Sequence, residues 1–322
     1  MGHHITAILG GVDPEMERIE ALFSGAGITI IHASINGRRV TPGRAYEADS
    51  VAVSTDTRRV LLVECSPKWI WVGAPGGASF MDAEVPVDHH RPGDPGYGRP
   101  PSEFLSASSL GQTIAELARV GLIPGEWKHS PWAIPGEPGG FVAPYSCPGH
   151  GDKSWRVYAS SDRVAVIPSD LVLAAASDHC PAAAYRGACP GVGPVVLMYW
   201  RAHTRAAFQR RPVEELLDDI KTSRQAIEGA PTIIIGGVQV ADLRPGTVPE
   251  LPEAALQIGA VVIASITTKD GRRHVVIQGA GEGSLAGRAP IDAFLGGWAA
   301  ENGIIGIYGD PVRGYAGGYL PA

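Results

Sequence analysis

The chain has 322 residues, with 27 Lys and Arg against 33 Asp and Glu, for a formal charge of −6. That balance excludes a protein that coats duplex nucleic acid, which needs a basic face. A composition of 44% hydrophobic and 19% charged residues excludes wholesale disorder. No apolar run reaches the length of a membrane span, and the start Met1-Gly2-His3-His4 lacks the basic and long apolar regions of a signal peptide. Four cysteines are too few for a disulfide scaffold, so the expected compartment is the cytoplasm.

Residues 4–10 read as a first strand ending in Gly10-Gly11. A helix follows, with Asp13 as N-cap, Pro14 at its first position, and Ile19, Leu22 and Phe23 at helical spacing. Residues 28–34, 59–64 (RVLLVE) and 83–90 (AEVPVDHH) read as further strands. Strand, helix, strand with polar strand ends is the α/β pattern, in which ligands bind outside the carboxyl ends of the strands. Residues 91–101 form a turn-rich loop and 102–122 one or two helices.

The Pro/Gly/Trp-rich stretch 123–168 reads as an irregular insertion or lid. Its Trp127, Trp132 and Trp155 form either a small core or a cleft wall. Residues 171–180 (LVLAAASDHC) make an apolar segment, helix or strand, with a charged tip. A polar helix over 212–229, Pro at its start and Gly at its end, is the expected connector, 211–230, between domains 1–210 and 231–322. Strand, helix, strand–turn–strand about Asp270-Gly271, helix and a last strand or loop complete the chain. The expected fold is α/β: a parallel-sheet N-terminal domain and a smaller mixed α/β C-terminal domain.

Asp88-His89-His90 at a strand tip combines a hard oxygen with imidazole nitrogens, a divalent-metal donor set. Read alone, the tripeptide is also ordinary solvated loop. Three more tips bring acids: Asp13 and Glu15, Glu64 at the end of RVLLVE, and Asp178 in Ser177-Asp178-His179-Cys180. Each also reads as a cap, a strand-end acid or a turn. Together they make the carboxylate set of a two-metal phosphoryl-transfer site.

This order resembles the DHH phosphoesterase superfamily, which includes single-strand exonucleases, oligoribonucleases, cyclic-dinucleotide phosphodiesterases and family II inorganic pyrophosphatases. Asp13-Pro14-Glu15 matches its first motif, Glu64 its second, Asp88-His89-His90 its third with the Ala107-Ser108-Ser109 helix behind it, and Asp178 its fourth. Leu9 stands where the first motif has His, and Glu15 and Glu64 where the family has Asp.

The resemblance implies Asp13, Glu15, Glu64, Asp88 and Asp178 as ligands of Mn2+ or Mg2+, with zinc ranked below. It implies Asp88, His89 and His90 as the catalytic group. It also implies a divergent substrate-binding domain whose Gly-rich loop, 308–318, supplies Tyr308, Arg313 and Gly314, joined by His179. The substrate is then a small nucleotide or short oligonucleotide lying between domains, and the protein a homodimer that makes no use of membranes.

Two rival functions remain. One is a DHH-fold nucleotide-binding or sensing protein with little turnover, to which Leu9 and the two glutamates point. The other is a zinc hydrolase centred on His89, His90, Cys180 and nearby residues. Separately, Cys147 and His150 with His179, Cys180 and Cys189 read either as one zinc site or as buried or incidental thiols, and their spacing fits no standard zinc pattern. Neither a Walker loop, a GxGxxG turn nor a Gly-x-Ser-x-Gly elbow is present.

Overall fold

The computed structural model describes residues 4–73, 83–125, 127, 129–130, 137–142, 154–160, 163–246, 248–267, 271–281, 284–311 and 314–321. Arg313, Trp132, Cys147, His150 and Asp270 lie outside them. The chain divides into two compact units, Met1–Arg99 with Glu103–His179, and Pro100–Ser102 with Cys180–Ala322.

The first unit is built on β1 (Ile5–Leu9), α1 (Pro14–Gly25), β2 (Thr29–His32), β3 (Arg59–Val63) and β4 (Ala83–Val87). The four strands form a parallel sheet in the order β2-β1-β3-β4. Ala7, Ile8, Leu9, Val60, Leu61 and Val63 are buried, the near-continuous apolar run of a sheet covered on both faces. Leu9, Val63 and Val87 are in register. The residues after them, Gly10, Glu64 and Asp88, therefore leave the sheet at one level. Asp13 caps α1 by accepting the Met16 N–H at 2.7 Å, with Pro14 opening the helix.

Two helices back the sheet's carboxyl edge, α2 (Phe104–Ala107) and α3 (Ser109–Arg119). Ser108 separates them, its hydroxyl capping α3 through the Gly111 N–H at 3.0 Å. Leu110, Ile114 and Leu117 of α3 are buried, each contributing about 1.5–3 kcal/mol. The last helix of the unit is α4 (Ser169–His179), buried over Leu171 to Ala176. Asp178 therefore comes from the final turn of a helix, not from a strand tip. An Ala- and Leu-rich run with Val172 as its one β-branched residue favours helix. Within 123–168, Phe141–Val142, Arg156–Ser160, Arg163–Val166 and His129–Ser130 pair as an antiparallel sheet. Trp155 is buried with its ring edge-on to Phe104, 5.5 Å between centroids, and Trp127 is buried too, as core residues are.

The second unit contains α5 (Pro194–Gln209), α6 (Val213–Gly229), β5 (Thr232–Ile235), β6 (Val238–Leu243), α7 (Leu251–Ile258), β7 (Val262–Thr267), β8 (Arg273–Gln278), β9 (Ile305–Asp310) and β10 (Tyr315–Tyr319). Its mixed sheet runs β5-β6-β7-β8-β10-β9, with β6 and β7 parallel. On one face Ala202, Leu216, Ile220, Leu243 and Val262 pack together. On the other, Ile235, Ile263, Ile277, Ile291 and Phe294 do. The helix expected as a connector is α6, and it belongs to this core. The division between units falls after His179 rather than after residue 210. Residues 308–318, expected as a ligand loop, contain the β9–β10 hairpin pairing, with Tyr308 opposite Gly317. No helix among the described residues is long and apolar enough to cross a membrane.

Candidate metal centre

The centre lies at the carboxyl edge of the parallel sheet, in the first unit. Glu64, one residue past β3, has φ of +49°, a left-handed backbone that costs a side-chain-bearing residue roughly 1–2 kcal/mol. Its N–H donates to Val87 O at 3.1 Å, which holds the strained turn against β4.

Asp88 closes the turn after β4. Its Oδ1 accepts the backbone N–H groups of His89 (2.7 Å) and His90 (3.1 Å) and lies 2.8 Å from His90 Nδ1. Its Oδ2 accepts the Tyr46 hydroxyl at 2.8 Å. Gln112 of α3 clamps the same turn, accepting the Asp88 N–H at 3.1 Å and donating to Asp88 O at 2.9 Å and Ala107 O at 2.7 Å. A carboxylate at Nδ1 assigns the proton there and directs the His90 lone pair to Nε2.

His89 is fixed from three sides. Nδ1 lies 3.3 Å from Ser109 Oγ and Nε2 lies 2.8 Å from Asp178 Oδ2. Its ring stacks on His90 (4.4 Å between centroids) and meets the His179 ring edge-on (5.1 Å). Gly96 runs directly beneath: a Cβ there would fall 1.8 Å from Ala107 O and 2.7 Å from His89 Cβ.

Glu64, His89, His90 and Asp178 each offer one ligand atom, and these atoms all lie within 4.8 Å of one another. This group can hold a metal ion. Two further acids act on it. Glu15 is buried, its Oε1 accepting the Leu110 N–H at 2.9 Å. Glu15 Oε2 and Glu64 Oε1 are buried with no hydrogen-bond partner among the described residues. Burial pushes the Glu15 carboxyl well above the usual range, and Asp178, Glu64 and Asp13 push it further. Burial raises Glu64 to about 8, with His90 opposing and Asp178 and Asp13 reinforcing. Burial and then Asp178 raise Asp13 to about 6.

Asp88 goes the other way. Burial disfavours its charge, but His90 and Tyr46 outweigh burial and hold it below the usual range. Buried carboxyls crowded until they retain protons are what a divalent charge relieves. The residues present fit a metal ion.

Of the residues singled out from sequence, Asp13, Glu15, Glu64, His89, His90 and Asp178 meet here. Asp88 stands outside the four-residue group and acts behind it, orienting His90. His179 supports the His89 ring, its Nε2 3.2 Å from Arg99 O. Tyr308 and Gly314 belong to the second unit, on a strand and at a hairpin turn. Cys180, which the zinc reading requires beside the histidines, is in the second unit with Sγ 2.8 Å from Cys189 Sγ.

Sequence reasoning missed Tyr46 and Gln112. Nothing local marks Tyr46, which sits in the short turn Pro42–Glu47 under the Arg91 guanidinium, 3.0 Å from its ring centroid. Gln112 carries a weak signal, one helical turn past the serines that follow the Asp-His-His triplet. Comparison with family models, with curated proteins and with solved structures gave no match.

Proposed function

We propose that the first unit is a divalent-metal-dependent phosphoesterase that hydrolyses a phosphodiester or phosphoanhydride bond of a small nucleotide or short oligonucleotide. The observation that carries this reading is the convergence of Glu64, His89, His90 and Asp178 within 4.8 Å. The adjoining acids Asp13 and Glu15 support it. Mixed carboxylate and imidazole donors suit Mn2+, and Mg2+ where oxygens prevail. Zinc ranks lower, because no thiolate joins the group among the described residues.

Bound there, the ion supplies a water activated at neutral pH and positive charge for the phosphate oxygens. The chain's residues do the remaining work. Asp88 sets the tautomer of His90, and Ser109 and His179 fix the His89 ring. Held in these orientations, the two imidazoles would present their ligand nitrogens to the ion, whose charge would meet the negative charge that develops on a transferring phosphoryl group. Glu64, raised to about 8, would give up its proton as the site fills.

The test is hydrolysis of a panel of phosphodiesters and nucleoside phosphates with Mn2+, by the wild type and by Asp178→Asn. Metal-dependent turnover that falls at least about a hundredfold in Asp178→Asn is the expected result, in line with losing transition-state charge stabilisation. Equal turnover by the two proteins would refute the assignment. Saturable nucleotide binding by the wild type with no product would replace it with the sensing function.

A further inference from the structure

The second unit begins with a cysteine pair that the metal centre does not use. Cys180 and Cys189 are both reduced, with their Sγ atoms 2.8 Å apart. Two sulfurs that share a tetrahedral zinc, each about 2.3 Å from the ion, stand roughly 3.7 Å apart. A disulfide holds them at about 2.05 Å. The pair is therefore too close to share a zinc ion and is already near bonding distance for the two sulfurs. Cys65 is different: it is buried, and its Sγ donates to Ile8 O at 3.4 Å.

The chain between the two sulfurs fixes their separation. Pro181 opens a single helical turn, Pro181–Ala184, and the Ala184 N–H donates to Cys180 O at 2.9 Å. The chain then reverses, with the Gly187 N–H donating to Ala184 O and the Ala188 N–H to Ala183 O, each at 3.0 Å. Ala183, Ala184 and Tyr185 are buried. The Tyr185 hydroxyl donates to the Glu253 carboxylate, and Arg186 Nη2 donates to Leu256 O at 3.2 Å, so the loop is docked on α7. Cys189 is 1% exposed within this docked loop, whereas Cys180 is half-buried. Cys180 is the sulfur that a dissolved oxidant meets first, and Cys189 is the one placed to resolve the product. Cys180 is also peptide-bonded to His179, whose ring meets His89 edge-on, and it follows Asp178 by two residues.

We infer that Cys180 and Cys189 are a redox-active dithiol, closed to a disulfide by low-molecular-weight disulfides, and that closure weakens the metal centre. The Cys180 sulfur attacks one sulfur of the oxidant RSSR, losing its proton and forming a mixed disulfide as the first RSH leaves. The Cys189 sulfur then attacks Cys180 Sγ, loses its proton and expels the second RSH. Two protein thiols are oxidised by two electrons, and one RSSR is reduced to two RSH. Closure draws the sulfurs together by roughly 0.7 Å. Cys189 is held in the docked loop, so the movement falls on Cys180 and on the final turn of α4, which carries Asp178 and His179. The effect on the metal rests on the proposed metal centre; the sulfur–sulfur bond does not.

The experiment treats the full-length protein with oxidised glutathione and maps its thiols by alkylation and peptide mass spectrometry. The wild type is expected to lose two hydrogens in mass and to yield a linked Cys180–Cys189 peptide pair, with dithiothreitol reversing both. Cys189→Ala is expected to stop at the mixed disulfide on Cys180. If that variant does not fold, Cys180→Ala serves, and it should leave Cys189 unmodified. Mn2+ is then titrated into reduced and oxidised wild type after the glutathione is removed. Affinity is expected to fall about tenfold on oxidation, the loss typical of disturbing a group that orients a ligating histidine. In Cys180→Ala it should not respond to the oxidant. Absence of the link in the wild type, a link from either cysteine to Cys147 instead, or equal Mn2+ affinity in the two states would overturn the inference. A link that forms in protein binding no Mn2+ in either state would uphold the dithiol and refute the metal centre.

Discussion

Asp88 commits both carboxylate oxygens to protein partners, and that decides what its loss does. Asp88→Ala removes the group that fixes the His90 tautomer and leaves the Tyr46 hydroxyl without its acceptor. Affinity for Mn2+ should fall about 10–100-fold, as for other partners of ligating histidines. Tyr46→Phe should cost less, because Asp88 keeps its contacts with His90. Titration calorimetry checks both, and an Asp88→Ala protein with wild-type affinity would show that His90 is not a ligand.

Glu64 gives the residue scale its pH signature. Its folded pKa of about 8 lies above an ordinary value of 4.5. Between those values the native state holds a proton that the unfolded chain has released. The stability of metal-free protein that rests on this proton is complete below about pH 4.5 and is lost as pH rises toward 8, at up to about 1.4 kcal/mol per pH unit. Asp13, raised to about 6, acts in the same direction at lower pH. Thermal melts in chelator should therefore fall from pH 5 to pH 8, and Glu64→Gln should flatten the fall. A Glu64→Gln slope equal to that of the wild type would contradict the burial of a proton there.

At the scale of elements, the site depends on close approach between the turn after β4 and α2. Gly96→Ala drives a Cβ into Ala107 O and His89 Cβ. A cost of about 1–3 kcal/mol is expected, with weaker Mn2+ binding because His89 must shift. Chemical denaturation and calorimetry on the same variant measure the two effects. The controls α1 and Asp13 were readable from sequence because a cap, a proline and an apolar stripe are local signals. So were β3 and β4, whose apolar runs end at Glu64 and Asp88.

Other elements were not legible, for identifiable reasons. Residues 171–180 lack the alternation that separates helix from strand, so the origin of Asp178 in α4 stayed open. Helix α5 went unread: Val195, Val196, Tyr199 and Phe208 are exposed on it, which blurs the polar face that would mark an amphipathic helix. The β9–β10 hairpin reads from sequence only as a last strand or loop leading into a Gly-rich loop, because its glycines mask strand alternation, although Gly317 serves to admit the Tyr308–His274 pair. Tyr46 reaches Asp88 across 42 positions, a contact that only the fold creates.

At the scale of the whole molecule, two α/β units divide along the chain, one with a buried acid–imidazole centre and one with Tyr308, His274 and Tyr319 clustered on its sheet. The central claim is that Glu64, His89, His90 and Asp178 bind a divalent cation. Its most direct test is titration of Mn2+ into chelator-stripped full-length protein near pH 7, by calorimetry in two buffers of different ionisation enthalpy. The wild type should bind saturably and release protons, because Glu64, raised to about 8, holds one in the metal-free protein, and a Glu64→Gln/Asp178→Asn protein should lose both the binding and the release. An absence of saturable heat in the wild type, or the same isotherm in the double variant, would contradict the claim.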